Sequence, residues 1–239
     1  MNPNPHFFTP TWPAPNNIRA YSTLRGNGFN FGLAGNHDHD QVIANRKQLS
    51  HHLQCPKAPH WLTQSHSTTH IAIDKHSDIF EGDAASTRSS HTVCAILTGD
   101  CLPILLCNQQ GTEVAAIHAG WRGLLDGVIQ STVCELVSHP NELMAWLGPC
   151  IGPVTFKLNA DIRQQFINNH PAWAEGFISY DNSWYGDLHA LANIMLNHLG
   201  ISQTYQDNRC TYQHPDLFYS YRRDGQSSGR MAHLIWIDE

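Results

Sequence analysis

Three residues of chemically active type lie at the edges of apolar runs: His66 in WLTQSH, Cys101 in TGDCLPILL and His118 in EVAAIHAGWRG. Each run predicts a strand end, and loops at strand ends are where functional sites are usually built. Two imidazoles and one thiolate suit Zn²⁺, and three protein ligands leave a fourth position open, which is the catalytic arrangement. The spacing matches no short zinc motif, so packing is the alternative for each residue, above all for a buried thiol.

Two segments carry arginines that could bind an anion. Arg122 lies in AGWRG, where a strand passes into a helix. Free amides at a helix start attract anions, and a guanidinium adds a forked donor for phosphate or carboxylate. SYRRDG, residues 220–225, supplies a second pair. The equal alternative is that these arginines cap carbonyl groups or pair with surface carboxylates.

The pattern of apolar residues along the chain predicts an α+β fold with mixed sheets that position these residues. Short apolar runs bounded by Gly, Asp or Asn predict strands, and spacing of three to four residues predicts helices. Strands and helices follow one another without a regular βα repeat, which favours α+β over a doubly wound fold. The predicted strands are 71–73, 93–97, 103–107, 114–118, 144–147 and the terminal MAHLIWIDE, and the predicted helices are 42–53, 160–168, 188–199 and one after Gly123 running through Leu136.

Composition narrows the class of protein. The chain has 239 residues, 41% hydrophobic and 14% charged, with a net charge of −6. We expect one domain over residues 1–239 with an extended, Pro-rich segment over 1–17 and a loop over 26–35. Neither a nucleic-acid partner nor a membrane partner has electrostatic support, and we expect no signal peptide and no membrane span. The seven cysteines form no C-x-x-C pair, which predicts reduced thiols and a cytoplasmic location.

Common cofactor and nucleophile motifs give no clear signal in the sequence. There is no Walker A and no G-x-G-x-x-G after a strand, so no nucleotide cofactor is indicated. The G-x-S-x-G pattern at residues 225–229, GQSSG, follows no predicted strand, so it does not indicate a serine-hydrolase elbow.

The blocks WLTQSH, TGDCLPILL, AAIHAGWRGLLDGV, WLGPCIGP and CTY…FYSYRRDG…SGRMA together resemble the laccase-domain proteins, also called the polyphenol oxidase or peptidoglycan-editing-factor family. The resemblance runs from about Trp12 to the C-terminus, with the blocks in the same order. It implies an α/β/β/α sandwich with a site between the sheets. It also implies that His66, Cys101 and His118 bind zinc.

The resemblance implies a zinc-dependent purine nucleoside phosphorylase that cleaves adenosine, inosine, guanosine and methylthioadenosine with phosphate, and that also deaminates adenosine. We expect Asp83 and Asp100 to give general acid or base help or to hold a zinc-binding histidine. Arg122, and Arg46 in the N-R-x-x-L block, are candidates to steady phosphate. We expect a monomer.

Departures from the family pattern put substrate preference in doubt. Gly99 stands where alanine is usual, Glu81 where arginine is common, and Lys157 where a glutamate is usual. The three expected metal ligands are retained.

Three rival functions stay open. Cys101 and His118 could form the nucleophile–base pair of a cysteine hydrolase acting on peptidoglycan precursors. Two histidines and one cysteine could also bind copper, as in a polyphenol oxidase, but only HDH at residues 37–39 offers the paired-histidine pattern that multicopper oxidation needs. Zinc could instead be a structural staple in a binding protein, with Cys150 as a fourth ligand.

Overall fold

Two mixed β-sheets form the centre of the protein. The computed structural model describes residues 6–26, 28–35 and 37–239. The first sheet contains β1 (Phe7–Phe8), β2 (Ile18–Thr23), β3 (His60–Trp61), β6 (Val93–Thr98) and β14 (Met231–Ile237), in the order β1-β2-β14-β6-β3. The second contains β4 (His70–Ala72), β5 (Ala84–Thr87), β7 (Leu102–Asn108), β8 (Val114–Ala119), β9 (Leu143–Leu147) and β13 (Gln203–Gln206), in the order β13-β9-β7-β8-β5-β4.

Helices cover the outer faces of both sheets. The described helices are α1 (His39–His52), α2 (Trp121–Asp126), α3 (Val128–Glu135), α4 (Ala160–Asn169), α5 (Leu188–His198) and α6 (Tyr221–Asp224). Leu49 of α1 packs with Val93 and Leu234 on the first sheet. The helices α2 to α5 share a core with the second sheet. A small sheet of β10 (Lys157–Leu158), β12 (Ser183–Gly186) and β11 (Phe177–Tyr180) lies beside α4.

The strands are apolar on both faces because each sheet is covered on both sides. Leu105 of β7 belongs to the core between the two sheets, together with Ile96 and Ile235 of the first sheet. Its neighbours Ile104 and Leu106 belong to the core under the helices. Alternate side chains of one strand therefore enter different cores, and the predicted α/β/β/α sandwich is confirmed.

The structure corrects the helix predicted after Gly123. A helix already begins at Trp121, and the chain then forms two helices, because Gly127 adopts a left-handed conformation with a φ of 98°. This conformation ends α2 and lets α3 begin at Val128 in a new direction. Leu136 lies beyond the end of α3.

The remaining sequence predictions fall close to the observed elements. The predicted strands and the other helices coincide with β4, β6, β7, β8, β9, β14, α1, α4 and α5. Residues 1–5 of the predicted extended segment and residue 27 of the predicted loop lie outside the described residues. In the described ranges no helix combines the length and apolar character needed to cross a membrane.

A buried histidine joins three strands of the first sheet. His233 of β14 hydrogen-bonds Ser22 Oγ of β2 through Nδ1 and Thr98 Oγ1 of β6 through Nε2, each at 2.8 Å. Burial, together with the nearby charge of His118, lowers the pKa of His233 to about 3. The ring is therefore neutral in the folded protein at neutral pH and becomes protonated in the unfolded chain below pH about 6.5.

We expect His233→Gln to flatten the acid side of the stability profile. The folded pKa lies below the unfolded value, so the stability contributed by neutral His233 is complete above pH about 6.5 and is lost as the pH falls towards 3. Between pH 7 and pH 5 this loss is about 2 kcal/mol. Urea unfolding at both pH values should show the free energy of unfolding falling by that much less in the variant. Equal losses in both proteins would contradict this assignment.

Candidate metal centre

The three predicted ligands meet at one end of the sandwich. His66 follows β3, Cys101 lies in the turn between β6 and β7, and His118 is in β8, one residue before that strand ends. One ligand atom from each lies within 4.8 Å of the other two, and no other group of three or more His, Cys, Asp or Glu in the described ranges could hold a metal ion. Cys101 Sγ and His66 Nε2 are 3.6 Å apart.

Asp83 orders two of the three ligands. Its side chain is fully buried just before β5. It accepts hydrogen bonds from the backbone nitrogens of Ser65, His66 and Ser67 at 3.2, 3.0 and 2.7 Å, and from Ser67 Oγ at 2.7 Å. It also binds His118 Nδ1 at 2.7 Å.

The same carboxylate therefore fixes both a backbone turn and a ring tautomer. His66 has a φ of 64°, a strained conformation for a residue with a Cβ, and the three backbone donors bound to Asp83 hold that turn in place. Since an ionised carboxylate only accepts, His118 Nδ1 must be the donor. The other nitrogen of His118, Nε2, is then free to bind a metal.

The electrostatic surroundings of Asp83, Cys101 and His118 favour the charged form of each side chain. Burial would raise the pKa of Asp83, but hydrogen bonds from His118 and Ser67 lower it to about 2. Burial would raise the pKa of the Cys101 thiol, but His118 and His66 lower it to about 6. Burial would lower the pKa of His118, but Cys101 and Asp83 raise it to about 9. A thiolate is the form of cysteine that binds metals and attacks electrophiles.

Asp100 anchors the turn that carries Cys101. Its Oδ1 accepts from Thr211 Oγ1 at 2.6 Å and its Oδ2 from the backbone nitrogen of Arg222 at 2.7 Å. The backbone nitrogen of Ile151 donates to the Asp100 carbonyl oxygen at 2.9 Å. With a φ of 147°, Asp100 is the second strained residue beside a ligand. The blocks GPCIGP and SYRRDG therefore surround the Cys101 turn.

Gly120 leaves the space in which the ligands converge. A methyl group in place of its hydrogen would lie 2.7 Å from His66 Cδ2 and 3.0 Å from Cys101 Sγ. Both distances are shorter than van der Waals contact. Any larger residue at this position would push His66 away from Cys101.

The two predicted phosphate ligands have different surroundings. Arg122 is exposed at the start of α2, and its guanidinium lies 4.4 Å from the ring centroid of Trp121. Arg46 of α1 instead donates from Nε and Nη2 to the Phe31 carbonyl oxygen, at 3.0 and 2.7 Å, and stacks on Trp61. These contacts attach α1 to the first sheet and do not join Arg46 to the metal ligands.

The additional residues expected for a copper site or for a four-ligand zinc site do not belong to the group formed by His66, Cys101 and His118. His37 Nε2 and His39 Nε2 bond the carbonyl oxygens of Ser228 and Leu33. Cys150 is buried, with its sulfur 3.8 Å from His189 Nδ1. Burial raises the pKa of the Cys150 thiol well above its ordinary value. None of the three residues belongs to the group that could hold a metal ion.

We expect Asp83→Asn to weaken zinc binding by about 10- to 100-fold. The asparagine side chain cannot accept hydrogen bonds from all the donors that Asp83 binds, and it no longer fixes the tautomer of His118. Zinc affinity is measured by competition with a chelator. Asp74→Asn is the matched control: Asp74 also accepts from a hydroxyl and a backbone nitrogen, those of Thr87 and Arg88, but binds no ligand residue. Unchanged zinc affinity in folded Asp83→Asn would show that the carboxylate does not order the centre.

Comparisons with known proteins agree with this architecture. Residues 18–238 match the family model described as "Multi-copper polyphenol oxidoreductase laccase". The protein named purine nucleoside phosphorylase YfiH of Escherichia coli K12 is 38% identical over 237 residues, covering 95% of this chain and 97% of the relative. The purine nucleoside phosphorylase of Haemophilus influenzae is 38% identical over 241 residues, covering 96% and 98%.

A solved structure extends the similarity to three dimensions. Neisseria meningitidis protein NMB0706 is 36% identical and superposes with a TM-score of 0.93, covering 98% of this chain and 100% of that chain. The Bacillus licheniformis protein YfiH, at 23% identity and a TM-score of 0.87, shares the fold. The chain therefore belongs to the family described as multi-copper polyphenol oxidoreductase laccase, whose similar members here include proteins named purine nucleoside phosphorylase.

Proposed function

We propose that this protein is a zinc-dependent purine nucleoside phosphorylase that also deaminates adenosine. Its substrates are adenosine, inosine, guanosine and methylthioadenosine, together with inorganic phosphate. The observation that carries the proposal is the convergence of His66, Cys101 and His118, with Asp83 ordering both histidines. The names of relatives that match nearly the whole chain support the reaction class.

The residues present fit one zinc ion. Tetrahedral zinc, with bonds of about 2.0–2.3 Å to nitrogen and sulfur, sets its ligand atoms roughly 3.3–3.8 Å apart. The 3.6 Å between Cys101 Sγ and His66 Nε2 lies in this range. A zinc ion held by the three residues would supply Lewis acidity at one open coordination position.

Phosphorolysis exchanges one bond at C1′ of the ribose for another. A phosphate oxygen forms the new bond to C1′ as the C1′–N9 bond breaks, and the base leaves with that electron pair and takes up a proton. In deamination, water adds at C6 of adenosine and ammonia leaves. Each reaction uses an oxygen nucleophile, phosphate at C1′ or water at C6, and we propose that one site serves both.

We assign positioning roles to Asp83 and Asp100 rather than proton transfer to substrate. Both oxygens of each carboxylate already accept hydrogen bonds from the protein. Asp83 keeps the proton of His118 on Nδ1, and Asp100 holds the Cys101 turn against residues 211–222. Of the two arginines, Arg122 is the one proposed to meet phosphate, since the guanidinium of Arg46 is bound to Phe31 and Trp61.

We also propose that the protein works in the cytoplasm as a monomer in which residues 1–239 form one domain. All seven cysteines lie in the described ranges, and none is paired. Unpaired thiols are typical of a reducing compartment. The net charge of −6 favours neither nucleic acid nor an anionic membrane surface as a partner.

A second candidate function, a cysteine hydrolase, is favoured by one observation. Without metal, the lowered pKa of Cys101 and the raised pKa of His118 describe a thiolate–imidazolium pair, the state in which cysteine attacks carbonyl groups. A substrate-like electrophile that labels Cys101 in metal-free protein, and metal-free protein that turns over cell-wall precursors, would favour this function.

Chromatography of the products separates the candidates. Zinc-quantified protein is incubated with adenosine, with and without phosphate. We expect adenine and ribose 1-phosphate only when phosphate is present, and inosine in both cases. Cys101→Ala should lose most of its zinc and at least about 100-fold of the turnover. Cys134→Ala, which removes an exposed thiol of α3, is the matched control and should retain both. Zinc-loaded wild-type protein that forms no product would refute the proposal.

A further inference from the structure

Arg230 is a partly buried cation with no carboxylate partner in the described part of the chain. Its Nη1 donates to the carbonyl oxygens of Ser228 and Gly229, at 2.8 and 2.9 Å. Its guanidinium carbon lies 5.5 Å from the ring centroid of Tyr221. Within the described residues, neither Nε nor Nη2 makes a hydrogen bond. The guanidinium therefore keeps two donors free in a fixed orientation, and a forked pair of donors suits an anion with two oxygens.

The guanidinium lies beside the turn that carries Cys101. A methyl group in place of the Gly99 hydrogen would lie 3.1 Å from Arg230 Cδ and 3.3 Å from Nη1. Cys101 follows Gly99 by two residues, which span at most roughly 7 Å, so the guanidinium lies near the Cys101 turn. Burial lowers the pKa of Arg230, and the negative charges of Cys101 and Asp100 oppose that effect.

We infer that Arg230, held beside Gly99, binds the phosphate co-substrate through Nε and Nη2. The inference rests on the proposed phosphorolysis and adds a residue to it. A guanidinium presents paired N–H donors whose spacing matches two oxygens of a phosphate. Because two carbonyl groups and Tyr221 already hold the side chain, little conformational entropy is lost when phosphate binds.

Asp100, Arg222 and Arg122 are each less well placed than Arg230 to bind phosphate beside the Cys101 turn. Asp100 is the adjacent anion, but Thr211 and the Arg222 backbone occupy its two oxygens. The Arg222 guanidinium is turned towards Phe156, where Nη1 lies 3.4 Å from the Thr155 carbonyl oxygen. Arg122 is exposed and stacks on its own neighbour, Trp121. Arg122 can steady an anion at the rim, whereas Arg230 is already oriented.

The test is the phosphate dependence of phosphorolysis in Arg230→Gln, Arg230→Lys and Gly99→Ala. In Arg230→Gln we expect the KM for phosphate to rise at least about 10-fold, while zinc content and the KM for adenosine stay within about twofold. Arg230→Lys keeps the positive charge but loses the forked pair of donors, so its KM for phosphate should lie between those of the wild type and Arg230→Gln. Gly99→Ala, which introduces the alanine usual in the family, should change the same KM by no more than about twofold, because the arginine has to shift by only a few tenths of an ångström. Arg88→Gln, at an exposed arginine remote from the ligands, is the control.

Several results would overturn the inference. One is an unchanged phosphate KM in folded Arg230→Gln; another is a rise in the adenosine KM alone. If Arg230→Gln does not fold, Arg230→Lys carries the same test. If wild-type protein shows no phosphorolysis, the proposed function fails, and calorimetric titration with inorganic phosphate then tests Arg230 separately. We expect phosphate to bind to wild-type protein and this binding to be lost in the Arg230 variants. Equal binding in wild-type and variant proteins, or no binding to wild-type protein, would refute the role of Arg230.

Discussion

The hydrogen bonds to the buried carboxylate of Asp83 are the interaction on which the candidate metal centre depends. Asp83 immediately precedes β5 of the second sheet, and it binds the turn that follows β3 of the first sheet. It also binds His118 of the adjacent strand β8. One side chain thus joins the two sheets at the site and orients two ligands. A buried carboxylate is costly unless its partners compensate, and the lowered pKa of Asp83 indicates that they do.

Strain around the ligands is compensated by neighbouring segments. His66 and Asp100 both have positive φ values: the backbone nitrogen of His66 donates to Asp83, and Asp100 accepts from Thr211 and Arg222. The sandwich makes this possible because its rigid strands end close together, while loops from both sheets supply the donors. Backbone strain that persists only because its surroundings fix it is common at functional sites. Gly120 contributes by leaving room beside His66 and Cys101.

Much of the fold follows from local pattern, but the ordering of the site does not. The continuous apolar runs of β6, β7 and β8 predict strands covered on both faces. In contrast, β5 is the short segment AAST, with too little apolar bulk to indicate a strand, and the break at Gly127 falls inside a helical repeat. The ligands His66, Cys101 and His118 could be proposed from residue type and position. The five donors of Asp83 and the place of Arg230 beside Gly99 depend on pairing between distant segments, which spacing along one chain does not reveal.

X-ray absorption spectroscopy of the purified protein shows directly whether two histidines and one cysteine hold a single metal ion with one position open. We expect a zinc edge, with one sulfur at about 2.3 Å and two imidazole nitrogens at about 2.0–2.1 Å. The remaining ligand should be a light atom that changes when phosphate is added. Two sulfur ligands would place Cys150 or another thiol in a closed structural site, which would rule out an open zinc centre. A copper edge with the same ligands would instead point to the redox chemistry in the family's name and would rule out zinc.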